Sequence, residues 1–198
     1  MIENIDFIIL DWLQQTLRTP ISDKIMSFIT QCGNYGLIWI ILAIFFLCTK
    51  KYRMDGVAVT ISLLLCLLVG NLLLKNSICR LRPFQINTDF QIIIPPPSGF
   101  SFPSGHTGAS FAAAFVLFKT ACRKISIPAL ILALLISFSR LYLYVHFPTD
   151  VLAGAILGSI CAMLAIRVTS CIFAKKKIIF SKFYKLQKKT WIFFILHV

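Results

Sequence analysis

Apolar runs of bilayer length, separated by turns that hold most of the charge, constrain this chain more than any other feature. Such runs cover about Phe28–Cys48, Gly56–Leu74, Ser104–Phe118, Ser126–Tyr144 and Pro148–Phe173. A membrane-crossing helix needs about 20 mostly apolar residues. The 198 residues are 58% hydrophobic and only 14% charged, with a mean hydropathy of +0.85. Soluble domains run at about 45–50% apolar and about 25% charged, so a soluble fold is excluded. The expectation is an all-α, polytopic membrane helical bundle of five to six transmembrane helices, forming one domain over residues 1–174.

Residues 1–33 read differently from the rest. Over 3–18, Ile5, Ile8, Ile9, Trp12 and Leu13 share a face, while Asp6, Asp11, Gln14 and Gln15 break the remainder. That pattern predicts an amphipathic helix lying at the interface. Asp6 and Asp11 also interrupt any leader-like apolar core, so no cleavable signal peptide is expected. Residues 175–198 carry seven lysines followed by Trp191, Phe193 and Phe194, which reads as a basic cytoplasmic tail at the membrane surface. The net charge of +13 does not imply nucleic acid, because the basic residues sit at helix ends and in this tail rather than on one face. The seven cysteines include no Cys-x-x-Cys pair and lie in or beside apolar runs, so neither a zinc site nor a disulfide framework is indicated.

Loop charge orients the bundle. Lys50–Arg53, Lys119–Lys124 and the tail are the basic turns, and short basic loops stay in the cytoplasm. Three polar islands then fall together on the opposite side. They are Lys75 to Pro83, Pro103-Ser104-Gly105-His106, and Ser139-Arg140 through His146 to Asp150.

Ionisable groups at the ends of apolar segments are costly and mark function by default. Lys75, Arg82 and Arg140 supply fixed positive charge. Phosphoryl transfer runs mainly on positioning and on charge aimed at the equatorial oxygens. Arginine forks grip two oxygens at once. A helix starting at Ser104 adds backbone N–H donors, and Gly105 allows close backbone approach. His146 lies four residues before Asp150, a spacing at which a carboxylate can fix the imidazole tautomer and free the other nitrogen to attack phosphorus. His146 is therefore the candidate nucleophile, forming a phosphohistidine. His106 is the candidate acid for the leaving oxygen and base for water. No metal and no cofactor enter this scheme, because the neighbouring cations would repel a metal ion.

These residues resemble the three-part signature of the type 2 phosphatidic acid phosphatase (PAP2) superfamily. The matching positions are Lys75, Arg82 and Pro83; Pro103, Ser104, Gly105 and His106; and Ser139, Arg140, His146 and Asp150. The resemblance implies a helical membrane fold. It also implies His146 as nucleophile, Asp150 as its orienting acid and His106 as general acid. Lys75, Arg82, Ser104, Gly105 and Arg140 would hold phosphate. Members often have six spans, against five plus an N-terminal helix counted here. The implied partner is a membrane lipid phosphate or pyrophosphate, such as undecaprenyl pyrophosphate, phosphatidic acid or phosphatidylglycerophosphate, met at the outer leaflet. A hydrolase of small soluble phosphates, a vanadate-dependent oxidase and a non-catalytic headgroup transporter are the rivals. An intact His146–Asp150 pair argues against the transporter.

Other residues read as structural. Arg80 and Lys119 look like interfacial anchors, Tyr142 and Tyr144 like an aromatic belt or an entrance lining, and Ser139 like a packing residue. Asp89 reads as a solvated loop acid. Ser101 or Thr149 is a candidate cap for the helix that follows it. Gly154 and Gly158 form a close-packing pair, and His197 has no assigned role.

Overall fold

The computed structural model describes residues 2–121 and 123–196, with side chains for 4–121 and 123–174. Helices α1 (Ile2–Leu17), α2 (Pro20–Cys32), α3 (Leu37–Cys48) and α4 (Arg53–Cys66) lead into a π-helical stretch, Leu67–Leu74. Short α5 (Lys75–Ile78) and α6 (Pro83–Ile86) follow, then α7 (Gly105–Thr120), α8 (Arg123–Tyr142) and α9 (Pro148–Leu196). No strand occurs among the described residues.

The fold is built around α7. Ser104 caps it by accepting from the Thr107 N–H. Its Ala112, Ala113, Ala114, Val116 and Leu117 are completely buried, and α4, α8 and α9 pack around it. At 16 residues α7 is shorter than the about 20 a span requires. It sits inside the bundle, between α4, α8 and α9.

Three helical stretches are long and apolar enough to cross a membrane: Lys50–Ile86, Arg123–Tyr142 and Pro148–Ala174. A fourth results if α2 and α3, bent by 40° at Gly33–Gly36, count as one broken span. The protein is thus an integral membrane protein with three to four qualifying spans, below the five to six expected. The difference comes from α1 and α7, which are helical but too short to qualify alone. The expected early start near Phe28 matches the α2–α3 pair. At the break Tyr35 and Gly36 take left-handed backbone angles (φ 55° and 66°).

α1 buries a mixed face and leaves apolar side chains exposed. Asp6, Leu10 and Leu13 are buried, whereas Ile5, Ile8 and Trp12 are exposed by more than half. Its polar residues reach inward: Gln14 Nε2 donates to Tyr142 O (2.7 Å), and Asp11 accepts from the Tyr144 hydroxyl (2.8 Å). Exposed Ile5, Ile8 and Trp12 together with partnered polar groups suit a lipid surround, where buried polar groups still need partners.

Tyr142 and Tyr144 are buried at 1% and 0% exposure, so neither forms an aromatic belt. The Tyr142 hydroxyl donates to Asp23 (2.6 Å), and Phe90 stacks on Tyr144 with ring centroids 4.0 Å apart. Both side chains were read as an aromatic belt or an entrance lining because their place on the helix face is not visible in sequence. The backbone of α9 continues helically to Leu196. The tail's side chains and His197 lie outside the described residues. Lys50, Lys51, Arg53, Thr120 and Ser170 line one cavity, which gathers the basic α3–α4 turn, the far end of α7 and the middle of α9.

Candidate active site

The three islands meet at one end of the bundle. Arg82 begins the site. Cys79, in the left-handed region (φ 52°), ends α5, and Arg82 stands in extended backbone before Pro83 starts α6. Its guanidinium is buried. Nε donates to Gly99 O (2.9 Å), Nη2 to Ser98 O (3.1 Å) and Nη1 to Val145 O (2.9 Å). Nη1 also lies 3.1 Å from His146 Nε2. Much of the fork expected to grip phosphate therefore ties loop 98–99 to the α8–α9 loop.

That contact fixes the imidazole tautomer. A guanidinium only donates, so Nε2 is the acceptor and the proton sits on Nδ1. Nδ1 faces Ser101 Oγ (3.4 Å) and Asp150 Oδ2 (3.6 Å, longer than a hydrogen bond). Ser101 Oγ in turn donates to Asp150 Oδ2, as does the Phe147 N–H (2.9 Å). Imidazole and carboxylate thus communicate largely through Ser101. The spacing of His146 and Asp150 could be read in the sequence, but Ser101, 45 residues away from His146, could not. It was one of two candidate helix caps, with Thr149; the cap of α7 is Ser104, three residues on. His146 is 2% exposed. Burial, together with the charges of Arg82 and Arg140, pushes its pKa down to about 3 against the pull of Asp150, so it is neutral at physiological pH.

Arg140, at the end of α8, is 2% exposed and donates through Nη1 to Thr30 Oγ1 (2.5 Å). Its Nε is one of two buried side-chain polar atoms without a hydrogen-bond partner among the described residues. An unpaired buried guanidinium N–H is costly unless an anion completes it. Lys75, half-buried at the end of the π-helical stretch, lies within coulombic reach of Arg82, Arg140 and Asp150.

His106, in the first turn of α7, is within coulombic reach of Arg140, His146, Arg82 and Lys75. Its Nε2 donates to Asn34 Oδ1 (3.0 Å), at the break between α2 and α3. A Cβ at Gly33 would press on His106 Cδ2 at 2.8 Å, so only glycine lets α2 lie this close. Ser104 is 1% exposed; its hydroxyl serves the helix cap, and its N–H donates to Asp150 O (3.1 Å). Gly105 faces Asn71, whose Oδ1 would lie 2.9 Å from a Cβ there. The close approach that Gly105 permits in this structure is therefore to Asn71.

Thr30, Asn34, Ser101 and Arg80 were missed as site residues or assigned other roles. Arg80 is no interfacial anchor: its guanidinium pairs with both Asp6 and Asp150 at 2.8 Å. Among the described residues no three His, Cys, Asp or Glu side chains gather in a way that would hold a metal ion.

An all-helical membrane bundle that carries cations, two imidazoles and a carboxylate at one end matches a family. The PAP2 superfamily profile covers residues 55–173, and the chain belongs to that superfamily. Its similarity to individual proteins extends over most of its length. It is 32% identical over 146 residues to an undecaprenyl-diphosphatase of Sulfolobus acidocaldarius, covering 74% of this chain and 70% of the relative. It is 35% identical over 156 residues to phosphatidylglycerophosphatase B of Bacillus subtilis, covering 72% of each. Among solved structures, LpxE of Aquifex aeolicus superposes with a TM-score of 0.71 at 27% identity, covering 81% of this chain and 94% of that one. A transmembrane PAP2-type phosphatidylglycerolphosphate phosphatase from Bacillus subtilis gives 0.70 at 29% identity, covering 86% and 87%. The chain is a phosphate ester hydrolase of this membrane family.

Proposed function

We propose that the protein removes phosphate from a membrane lipid phosphate or pyrophosphate through a phosphohistidine, at the outer leaflet. The candidate substrates are undecaprenyl pyrophosphate, phosphatidic acid and phosphatidylglycerophosphate. The observation that carries the reading is the unpartnered, buried Nε of Arg140 within coulombic reach of a neutral His146 whose Nε2 carries no proton and accepts from Arg82 Nη1. An anionic headgroup completes the first and, by drawing the Arg82 N–H onto its own oxygens, frees the Nε2 lone pair for attack.

The steps follow from placement. The headgroup binds with its oxygens on Arg140, Lys75 and the remaining N–H capacity of Arg82. Backbone N–H groups of the α7 N-terminus add to these. His146 Nε2 attacks phosphorus in line, the bond to the leaving oxygen breaks, and His106 gives that oxygen a proton. Asp150, acting mainly through Ser101, holds the Nδ1 proton and stabilises the positive charge that develops on the ring. Water then attacks the phosphohistidine with His106 as base, and phosphate leaves. The lipid tail stays among the exposed apolar side chains of the bundle, such as Leu72 and Leu73. Residues 1–174 act as one catalytic unit, with α1, the bent α2–α3 pair and α7 completing the membrane-embedded helices.

The test is phosphate release by detergent-purified protein from those three lipids, with EDTA present and labelled phosphate in the headgroup. Quenching in alkaline SDS should trap label on the protein in an acid-labile, base-stable form. His146→Ala should abolish both the label and turnover. Turnover that survives this substitution would sink the mechanism, and release from a water-soluble ester but from no lipid would sink the substrate class.

A further inference from the structure

Asp150 has no exposed surface. Its Oδ2 is satisfied by Ser101 and the Phe147 N–H, while Oδ1 accepts from Arg80 Nη1 at 2.8 Å. The other arm of the guanidinium, Nη2, donates to Asp6 Oδ2 at 2.8 Å. Asp6 is 2% exposed and also accepts from the Thr149 N–H (3.2 Å) and the Thr149 hydroxyl. The guanidinium lies 3.9 Å over the Phe147 ring, and Arg80 O accepts from the Ser101 N–H (2.7 Å). Arg80 is therefore held on one face by an aromatic ring and at both ends by carboxylates. It touches both groups through which His146 is held, Asp150 by its side chain and Ser101 by its backbone.

We propose that Arg80 and Asp6 are positioning residues for the reaction: Arg80 sets the orientation of the Asp150 carboxylate, and Asp6, brought by α1, sets Arg80. The proposal rests on the reading of His146 as nucleophile. A planar fork held between two carboxylates has one preferred orientation, whereas a lysine ammonium would be a point charge with none. Oriented Asp150 fixes Ser101, and Ser101 fixes the Nδ1 proton. α1 thereby becomes part of the catalytic apparatus although none of its side chains contacts the reacting atoms.

A merely structural ion pair would lower stability and leave the chemistry of the folded fraction alone. The two roles separate in kcat, KM and melting temperature, measured in detergent on the panel lipid with the highest turnover. The variants are Arg80→Gln, Arg80→Lys, Asp6→Asn, Asp150→Asn, the Arg80→Gln/Asp150→Asn pair and His146→Ala. Arg80→Gln should lower kcat about 100-fold with KM within about threefold, as expected for a misplaced reacting group. Arg80→Lys should recover part of that loss, and Asp6→Asn should cost about tenfold in kcat. The pair should be at most about threefold slower than Asp150→Asn alone, since groups acting as a unit are non-additive. Losses that multiply in the pair, fall in KM, or vanish after correction for folded protein would overturn the proposal. If Arg80→Gln does not fold, Arg80→Lys and Asp6→Asn decide on the same kcat criterion. Turnover retained by His146→Ala overturns the nucleophile reading; inactive His146→Ala with a multiplicative pair overturns the positioning role alone.

Discussion

At His146, two demands on one side chain coincide. A nucleophilic imidazole has to be neutral, and an anion-binding pocket has to be positive. The arginines that make the pocket positive are the groups that, together with burial, push the pKa of His146 down to about 3. The same shift makes stability depend on pH, with a definite sign. The unfolded chain binds a proton at this histidine below about 6.5, and the folded chain does not until far lower. Protons therefore favour unfolding: the native advantage is complete above about pH 6.5 and is lost as pH falls toward 3. His146→Asn should reduce the fall in melting temperature between pH 7 and pH 4. An unchanged pH slope would mean that His146 is already charged in the folded state. The candidate-site residues legible in the sequence were those whose type is anomalous near apolar helix ends, namely Lys75, Arg82, His106, Arg140, His146 and Asp150. Thr30 and Asn34 carry no such mark. Each is an ordinary polar residue whose meaning comes from a partner 110 and 72 positions away, respectively.

The elements repeat this lesson. α7, α8 and α9 were legible because apolar length and flanking charge define them. α1 was placed as a helix, but its polar residues were taken as interfacial breaks. Periodicity shows that a face differs but not what covers it, and α1 buries Asp6 together with Leu10 and Leu13. Close packing of α9 at Gly154 and Gly158 was legible from small residues alone, but its partner, α7, was not. A Cβ at Gly158 would strike the backbone around Gly108 and Ala112 (2.8 Å to Ala112 N), and backbone atoms cannot rotate away. Gly158→Val should therefore separate the two helices and cost about 1–3 kcal/mol or more of stability, as overpacking does. Thermal denaturation in detergent reads this directly. A wild-type midpoint for Gly158→Val would mean that the helices are further apart than the glycine geometry requires.

At the scale of the whole molecule, the arrangement is polar. Every signature residue lies at one end, and Lys50, Lys51 and Arg53 gather at the other. Basic short loops resist translocation, so the catalytic end should face outward. The chain carries a reporter for this. Cys79 sits between Lys75 and Arg82 at the catalytic end and is exposed, while Cys48 is exposed beside the basic α3–α4 turn. A protein retaining Cys79 as its only cysteine should react with a membrane-impermeant maleimide in intact cells, and one retaining only Cys48 should react after the membrane is opened. The reverse pattern would place the site on the cytoplasmic side. The headgroup would then have to be hydrolysed there, and the positive-inside argument for this chain would fail even if the chemistry at His146 stood.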